Sequence, residues 1–463
     1  MGKNVWTDAK QKKVKAIDTF AKEYCGFLDA GKTERECTDY IVNEIEKCGY
    51  RELGKVIAAG EKVSAGDKIY AVNMNKSVVM FNIGTEPIEN GMNILGAHID
   101  SPRLDLKSNP LYEDTELAYF DTHYYGGVKK YQWVTLPLAL HGVVIKKDGT
   151  TVEINIGEDE DDPVFFISDL LIHLASDQME KKASKVIEGE QLDVIIGSMP
   201  LSKSDDDKEE KEAVKANILK ILKNNYDIEE EDFHSAEIEV VPAGKAREAG
   251  FDRSMILAYG HDDRVCAFPS FKAMLEVENP VKTACCILVD KEEIGSVGAT
   301  GMRSLFFENT VAELINLCSD YSDLKLRRCL ANSNMLSSDV SSAFDPTFAA
   351  NFDKKNTNKL GHGIVLEKYT GSRGKSGSND ANAEYLAKLR DVFAKESVTY
   401  QTGELGKVDV GGGGTIAYIL ALYGMNVTDC GVPVLNMHAP WECISKADLY
   451  EAKLGYMAFL KNM

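Results

Sequence analysis

The sequence has no C-x-x-C pair, no apolar run of membrane-spanning length and too few basic residues to balance its acidic ones. Each absence narrows the field. A spanning helix needs about 18 or more consecutive apolar residues; the longest candidate, residues 415–427, is short and contains Gly424. Ten cysteines are scattered, with Cys285 and Cys286 adjacent, and they read as reduced, mostly buried thiols and not as a disulfide framework. Lys plus Arg number 53 against 73 Asp plus Glu, a net charge of −20. So acidic a chain is a poor binder of nucleic acid or anionic membrane. Lys3, Asn4 and the polar stretch 8–13 make no secretory apolar segment. Trp6 stands where myristoylation of Gly2 would want Ser or Thr. The expectation is a cytoplasmic protein with neither membrane nor nucleic acid among its partners.

What is present is ample for a core. The chain has 463 residues, 44% hydrophobic and 27% charged, which are globular proportions and enough length for two large domains or a few smaller ones. Val14, Ile17, Phe20, Ala21, Tyr24 and Phe27 recur at helical spacing. Thr33-Glu34-Arg35-Glu36 is a capping box for a second helix ending near Gly49. Strand-like runs follow at 69–72, 78–82 and 92–97. From about 107 to 240 the chain is rich in aromatics and short strands, with acidic stretches at 158–162 and 205–212 that read as solvated loops. From about 250 onward strands and helices alternate. Residues 283–290 form a nearly continuous apolar run, as in a strand buried on both faces. Alternation of this kind predicts an α/β fold, a three-layer α/β/α sheet, with the β-rich middle inserted as a separate domain.

Two glycine-rich segments imitate nucleotide sites. Gly26 to Thr33 fits G-x-x-x-x-G-K-[ST], but an amphipathic helix precedes it where a phosphate loop needs a strand. Gly412 to Ala417 fits G-x-G-x-x-A, with Asp429 downstream, but the strand before it is short and acidic. Both read as chance matches; a glycine turn that opens a helix is also a general site for an anion or a carbonyl.

A dispersed set of His, Asp and Glu carries more weight. Five strand-like segments end at His98-Ile99-Asp100, His261-Asp262-Asp263, Asp290-Lys291-Glu292-Glu293, Asp339 and His438. Ligands of open α/β sheets bind at the carboxyl ends of strands. Oxygen and imidazole donors with a bridging carboxylate suit a pair of divalent ions about 3.5–4 Å apart, which acidify a water between them. The tandem Glu292-Glu293 offers one carboxylate for metal and one for proton transfer. Asp100, two residues after His98, is placed to orient the imidazole through its second nitrogen.

These residues resemble a family. Gly96-Ala97-His98-Ile99-Asp100-Ser101-Pro102-Arg103 is similar to the first metal motif of the aspartyl aminopeptidase and vacuolar aminopeptidase I family. Glu292-Glu293-Ile294-Gly295-Ser296 resembles its acidic tandem. The segments Ser338 to Pro346 and Met437 to Glu442 resemble its last two motifs, and order and spacing agree across nearly the whole chain. The resemblance implies a binuclear zinc exopeptidase releasing one N-terminal residue from peptides with a free N-terminus. It implies a zinc-exopeptidase-like catalytic domain at 1–106 and 244–463, interrupted by a dimerisation domain at 107–243. Asp262 would bridge two ions, His98 and Asp339 would complete one, Glu293 and His438 the other, and Glu292 would be the general base. Zinc is the expected metal, with manganese or cobalt as alternatives. The resemblance also implies tetrahedral homododecamers built from dimers, in which His173 reaches a neighbouring subunit's site. The sequence departs from the family where many members have Asp-Asn and this chain has Asp262-Asp263. It departs again where members that prefer acidic residues carry Lys and this chain has Glu367, with Lys368 next. A two-metal deacylase of the same fold and a non-catalytic oligomeric scaffold are the competing readings; an intact Glu292 speaks against the scaffold.

Overall fold

The structure, a computed structural model, describes residues 3–202 and 211–463. Gly2 and residues 205–210 of the second acidic stretch lie outside the described residues. The chain divides into two compact units. One comprises Met1–Ser101, Ala246–Met437 and Glu442–Met463; the other comprises Pro102–Lys245 and His438–Trp441.

The larger unit is built on a nine-stranded sheet. Its spatial order is Arg51–Glu52, Lys68–Asn73, Ser77–Asn82, Thr283–Val289, Met92–His98, Asn334–Ser337, Asn426–Gly431, Ile364–Glu367 and Tyr400–Thr402. The four central strands, Thr283–Val289 through Asn426–Gly431, are mutually parallel. The antiparallel neighbours Ser77–Asn82 and Ile364–Glu367 flank them. Residues of a strand alternate between two faces, and here both faces are apolar. Ala284, Cys286 and Leu288 enter one core with the helices Gln11–Ala30, Glu34–Lys47, His261–Glu276 and Lys446–Asn462. Cys285, Ile287 and Val289 enter another with Phe306–Cys318, Asp323–Ala331 and Ala417–Ala421. That is a three-layer α/β/α arrangement, and it explains why the strand at 283–289 reads as unbroken apolar sequence.

Local chemistry fixes the first helices. Ile17, Phe20, Ala21, Tyr24, Phe27 and Leu28 are the buried stripe of the helix Gln11–Ala30. The Glu36 amide donates to Thr33 Oγ1 at 3.2 Å, and the Thr33 amide donates back to Glu36 Oε2 at 3.1 Å. Gly26 therefore lies inside a helix and Thr33 caps the next one. The phosphate-loop match has no preceding strand and no cradle.

The sequence pattern misassigned two strands to the main sheet. Met255–Ala258 and Pro433–Leu435 belong to a separate five-stranded sheet with Arg247–Ala249, Glu442–Ser445 and Ser341–Ser342. Alternation identifies a strand but not the sheet it joins, because the pairing partners are remote in sequence.

The smaller unit carries a six-stranded sheet in the order Thr151–Ile156, Leu138–Ile145, Ala236–Pro242, Arg103–Asp114, Leu117–Tyr125 and Val194–Gly197. Every neighbouring pair in it is antiparallel. Val164, Phe166, Leu170, Leu171, Ile172, Leu174 and Met179 of this unit are exposed.

Candidate metal centre

Three ligand candidates meet in the larger unit, each delivered by the end of a strand. His98 ends Met92–His98, Asp339 follows Asn334–Ser337, and Asp262 follows Met255–Ala258 after a turn at Gly260. The Ser338 amide donates to the Gly96 carbonyl at 2.6 Å and so holds the two main-sheet exits together. One donor atom from each of His98, Asp262 and Asp339 lies within 4.8 Å of the other two.

Hydrogen bonds define which imidazole nitrogen is offered. His98 Nδ1 lies 2.9 Å from the Asp100 carbonyl oxygen and 3.2 Å from Asp100 Oδ1. Both are acceptors, so Nδ1 carries the proton in the neutral ring and Nε2 faces Asp262 Oδ1 at 3.1 Å and Asp339 Oδ1 at 3.9 Å. Burial disfavours charge on His98, but the bonded Asp100 and Asp262 carboxylates hold its imidazole well above the ordinary range. Burial raises the Asp339 carboxyl well above the usual range, and Asp263 and Glu292 push it the same way. Buried carboxyls that force one another toward protonation, beside an imidazole that they hold toward its charged form, make a pocket whose crowding a divalent cation relieves. The donors are oxygen and nitrogen with no thiolate, a set that zinc, manganese and cobalt accept.

The tandem is anchored by the same aspartate. The amides of Glu292 and Glu293 both donate to the Asp100 carboxylate, at 3.2 Å each. Asp100 thus does more than orient His98: it fixes the short turn Glu292–Ile294 that carries the acidic pair. That turn is entered through Lys291 at φ 66° and left through Gly295 at φ 92°. Asp263 does not point with Asp262. Its Oδ2 accepts from the His98 amide at 3.4 Å, and burial, with Asp262 adding to it, raises its carboxyl well above the usual range.

His438 lies in the stretch that groups with the smaller unit. Its Nδ1 is 3.0 Å from the Gly127 carbonyl oxygen, which places the lone pair of the neutral ring on Nε2. His173 sits in the exposed turn Ile172–Leu174 of that unit, where no metal-binding group of the described residues includes it. His261, beside the ligand candidates in sequence, is not one of them. It is buried against Tyr24, whose hydroxyl is 2.8 Å from its Nδ1, and burial lowers it to about 3.

The Gly411–Gly414 turn does not hold all its amides for a ligand: Gly411 donates to the Lys407 carbonyl at 2.9 Å and Gly413 to that of Thr370 at 3.2 Å. Asp429 accepts from Thr415 Oγ1 at 2.6 Å, and residues 408–410 form no strand, in keeping with a chance match to the dinucleotide pattern. Glu367 is enclosed. Its Oε1 accepts from Ser341 Oγ and from Asn358 Nδ2, and burial, with Asp429 adding to it, pushes its carboxyl up to about 8. Lys368 is outside, paired with Asp380 at 3.3 Å.

Comparison with known proteins gives the same direction. The profile of the aminopeptidase I zinc metalloprotease (M18) family matches residues 27–460. A probable M18 family aminopeptidase 1 of Clostridium acetobutylicum is 63% identical over 460 residues, covering 99% of this chain and 98% of the relative. The crystal structure of an M18 aminopeptidase from Thermotoga maritima superposes with a TM-score of 0.94 at 44% identity, covering 100% of each chain. A yeast mApe1 dodecamer is alike in fold, with a TM-score of 0.76 at 19% identity over 96% of this chain and 97% of that one. The chain belongs to the aminopeptidase I zinc metalloprotease (M18) family and is a metal-dependent aminopeptidase.

Proposed function

We propose that the chain releases a single N-terminal residue from peptides with a free N-terminus, using two divalent ions, zinc first among the candidates. The observation that carries this reading is the His98–Asp262–Asp339 group together with the Glu292-Glu293 turn, both organised by Asp100. His98 and Asp339 would hold one ion and Glu293 and His438 the other, with Asp262 shared. When bound, such a pair polarises a carbonyl and acidifies a water. The protein's own part follows from its side chains. Glu292, left over from the ligand set, takes the nucleophile's proton and returns it to the leaving amine. Asp100 holds both His98 and the turn that aims Glu292. The metal-facing carboxylates attract the ammonium form of a free N-terminus, which an N-acyl group lacks.

Assembly is part of the proposal. The exposed apolar run from Val164 to Met179 in the smaller unit, with Leu171, Ile172 and Leu174 more than half exposed, is the surface by which copies would pair. A tetrahedral homododecamer of such dimers would bring His173, in that same run, to a neighbour's site. Ten unpaired cysteines, seven of them buried, fit a reducing cytoplasm.

The test is hydrolysis of aminoacyl chromogenic substrates and free-amine dipeptides, with and without chelator and with added Zn, Mn or Co. Chelator-sensitive release confined to free N-termini is the expected result. Release from N-acyl substrates alone would overturn it in favour of a deacylase, and no turnover with two metals bound would favour a scaffold. Sedimentation analysis tests the assembly: a protein that stays monomeric refutes it.

A further inference from the structure

We infer that Glu442 and Ser101 are positioning residues that clamp the backbone of Asp262 on both sides and so aim its carboxylate at the metals. The inference rests on the reading of Asp262 as a ligand. Asp262 follows a tight turn. Gly260 is left-handed at φ 75°, and a Cβ there would sit 1.9 Å from Arg264 Nη1. Asp262 itself has φ −79° and ψ 108°, outside the helical range, although it lies at the start of the helix His261–Glu276. Its amide is one of the helix-start donors that find no partner within the helix.

Two buried side chains supply what the helix does not. The Asp262 amide donates to Glu442 Oε2 at 2.9 Å. Ser101 Oγ donates to the Asp262 carbonyl oxygen at 2.6 Å. Glu442 is 1% exposed and Ser101 2% exposed. With both peptide groups of Asp262 held, the root of its side chain is fixed, and Oδ1 lies 3.1 Å from His98 Nε2.

The fold puts Glu442 in place by register. Glu442–Ser445 pairs antiparallel with Met255–Ala258, and Glu442 stands opposite Ala258, four residues before Asp262. The Gly260 turn then brings the Asp262 amide back over the Glu442 carboxylate. A carboxylate acceptor makes a shorter and stronger bond to an amide than a neutral acceptor does. A ligand common to both ions is where such rigidity counts, because a displacement of its carboxylate weakens both sites together.

The test is metal affinity, read without turnover. Zn²⁺ and Co²⁺ are titrated against a chromophoric chelator in the wild type and in Glu442→Ala, Glu442→Gln and Ser101→Ala, and the visible spectrum of the Co²⁺ protein is recorded. Loss of an outer-shell partner costs about 10–100-fold in metal affinity. Glu442→Ala is expected to lose that much at both ions and to alter the Co²⁺ spectrum. Glu442→Gln keeps an acceptor oxygen at the same reach and is expected to recover most of the affinity. Ser101→Ala is expected to fall in the same direction by less. Wild-type affinity in Glu442→Ala overturns the inference, and so does a Gln variant as weak as the Ala variant, since an acceptor oxygen at the same reach would then not restore the ligand. If circular dichroism shows that Glu442→Ala does not fold, wild-type affinity in Ser101→Ala overturns it. A wild-type protein that binds no divalent ion defeats the metal reading itself, a different result from any of these.

Discussion

Glu367→Gln isolates the cost of a buried acid. Glu367 ends the strand Ile364–Glu367 and is fully enclosed, and burial lifts its carboxyl from 4.5 to about 8. Below pH 4.5 the folded and unfolded chains both carry the proton and the group contributes nothing. Between 4.5 and about 8 the unfolded chain releases it and the folded chain keeps it. The folded state then binds more protons, so stability falls as pH rises, by about 1.4 kcal/mol per unit. At pH 7 the accumulated cost is roughly 3 kcal/mol, and above pH 8 roughly 5 kcal/mol. Glutamine copies the protonated acid in shape and keeps an oxygen for Ser341 and Asn358, without a proton to lose. Asp429, pushed up to about 6 mainly by burial, tilts the same curve in both proteins and largely cancels in the difference. Urea unfolding of the two proteins at fixed salt and chelator, from pH 5 to 8, gives that difference directly. The variant is expected to gain on the wild type steadily across the range, reaching roughly 3 kcal/mol near pH 7. A difference that stays flat between pH 5 and 8 would show that Glu367 ionises freely in the fold, and would refute the argument.

Three further outcomes are expected. Glu292→Gln retains both ions by elemental analysis while turnover falls by about a hundredfold or more; full activity would remove Glu292 from the base role. His438→Ala binds one ion about as the wild type does and loses the other, and undiminished occupancy of both would take His438 out of the ligand set. Gly260→Ala forces a left-handed residue and a contact at 1.9 Å onto Arg264 Nη1, so its melting temperature drops, with a cost of about 2 kcal/mol or more; an unchanged melt would mean that the turn relaxes freely.

The legible part of this protein was local. A helical stripe of apolar residues, a capping box at Thr33 and an unbroken apolar run at 283–289 follow from backbone geometry and short-range hydrogen bonding, and each formed where the pattern put it. The chemistry was legible too, because His, Asp and Glu at strand ends have few uses as a set. The main errors were of partnership. Strands Met255–Ala258 and Pro433–Leu435 looked like members of the central sheet and joined another. The glycine-rich turn that read as a general site for an anion or a carbonyl spends the amides of Gly411 and Gly413 on Lys407 and Thr370. Asp100 looked like a support for one imidazole and also carries the Glu292-Glu293 turn, 192 residues away at its first contact.

By itself, then, the sequence determined the main element types and the α/β class, since these depend on side-chain chemistry and on spacings of a few residues. The tertiary structure alone decided which of these side chains meet. His98 and Asp262 are 164 residues apart, and Asp262 and Glu442 are 180 apart. Their meeting is set by strand register and by one left-handed glycine, which no local pattern encodes. Burial completes the division: the fold raises the Asp263 carboxyl well above the usual range where it accepts from the His98 amide, and lifts that of Glu367 to about 8, according to what it packs around each.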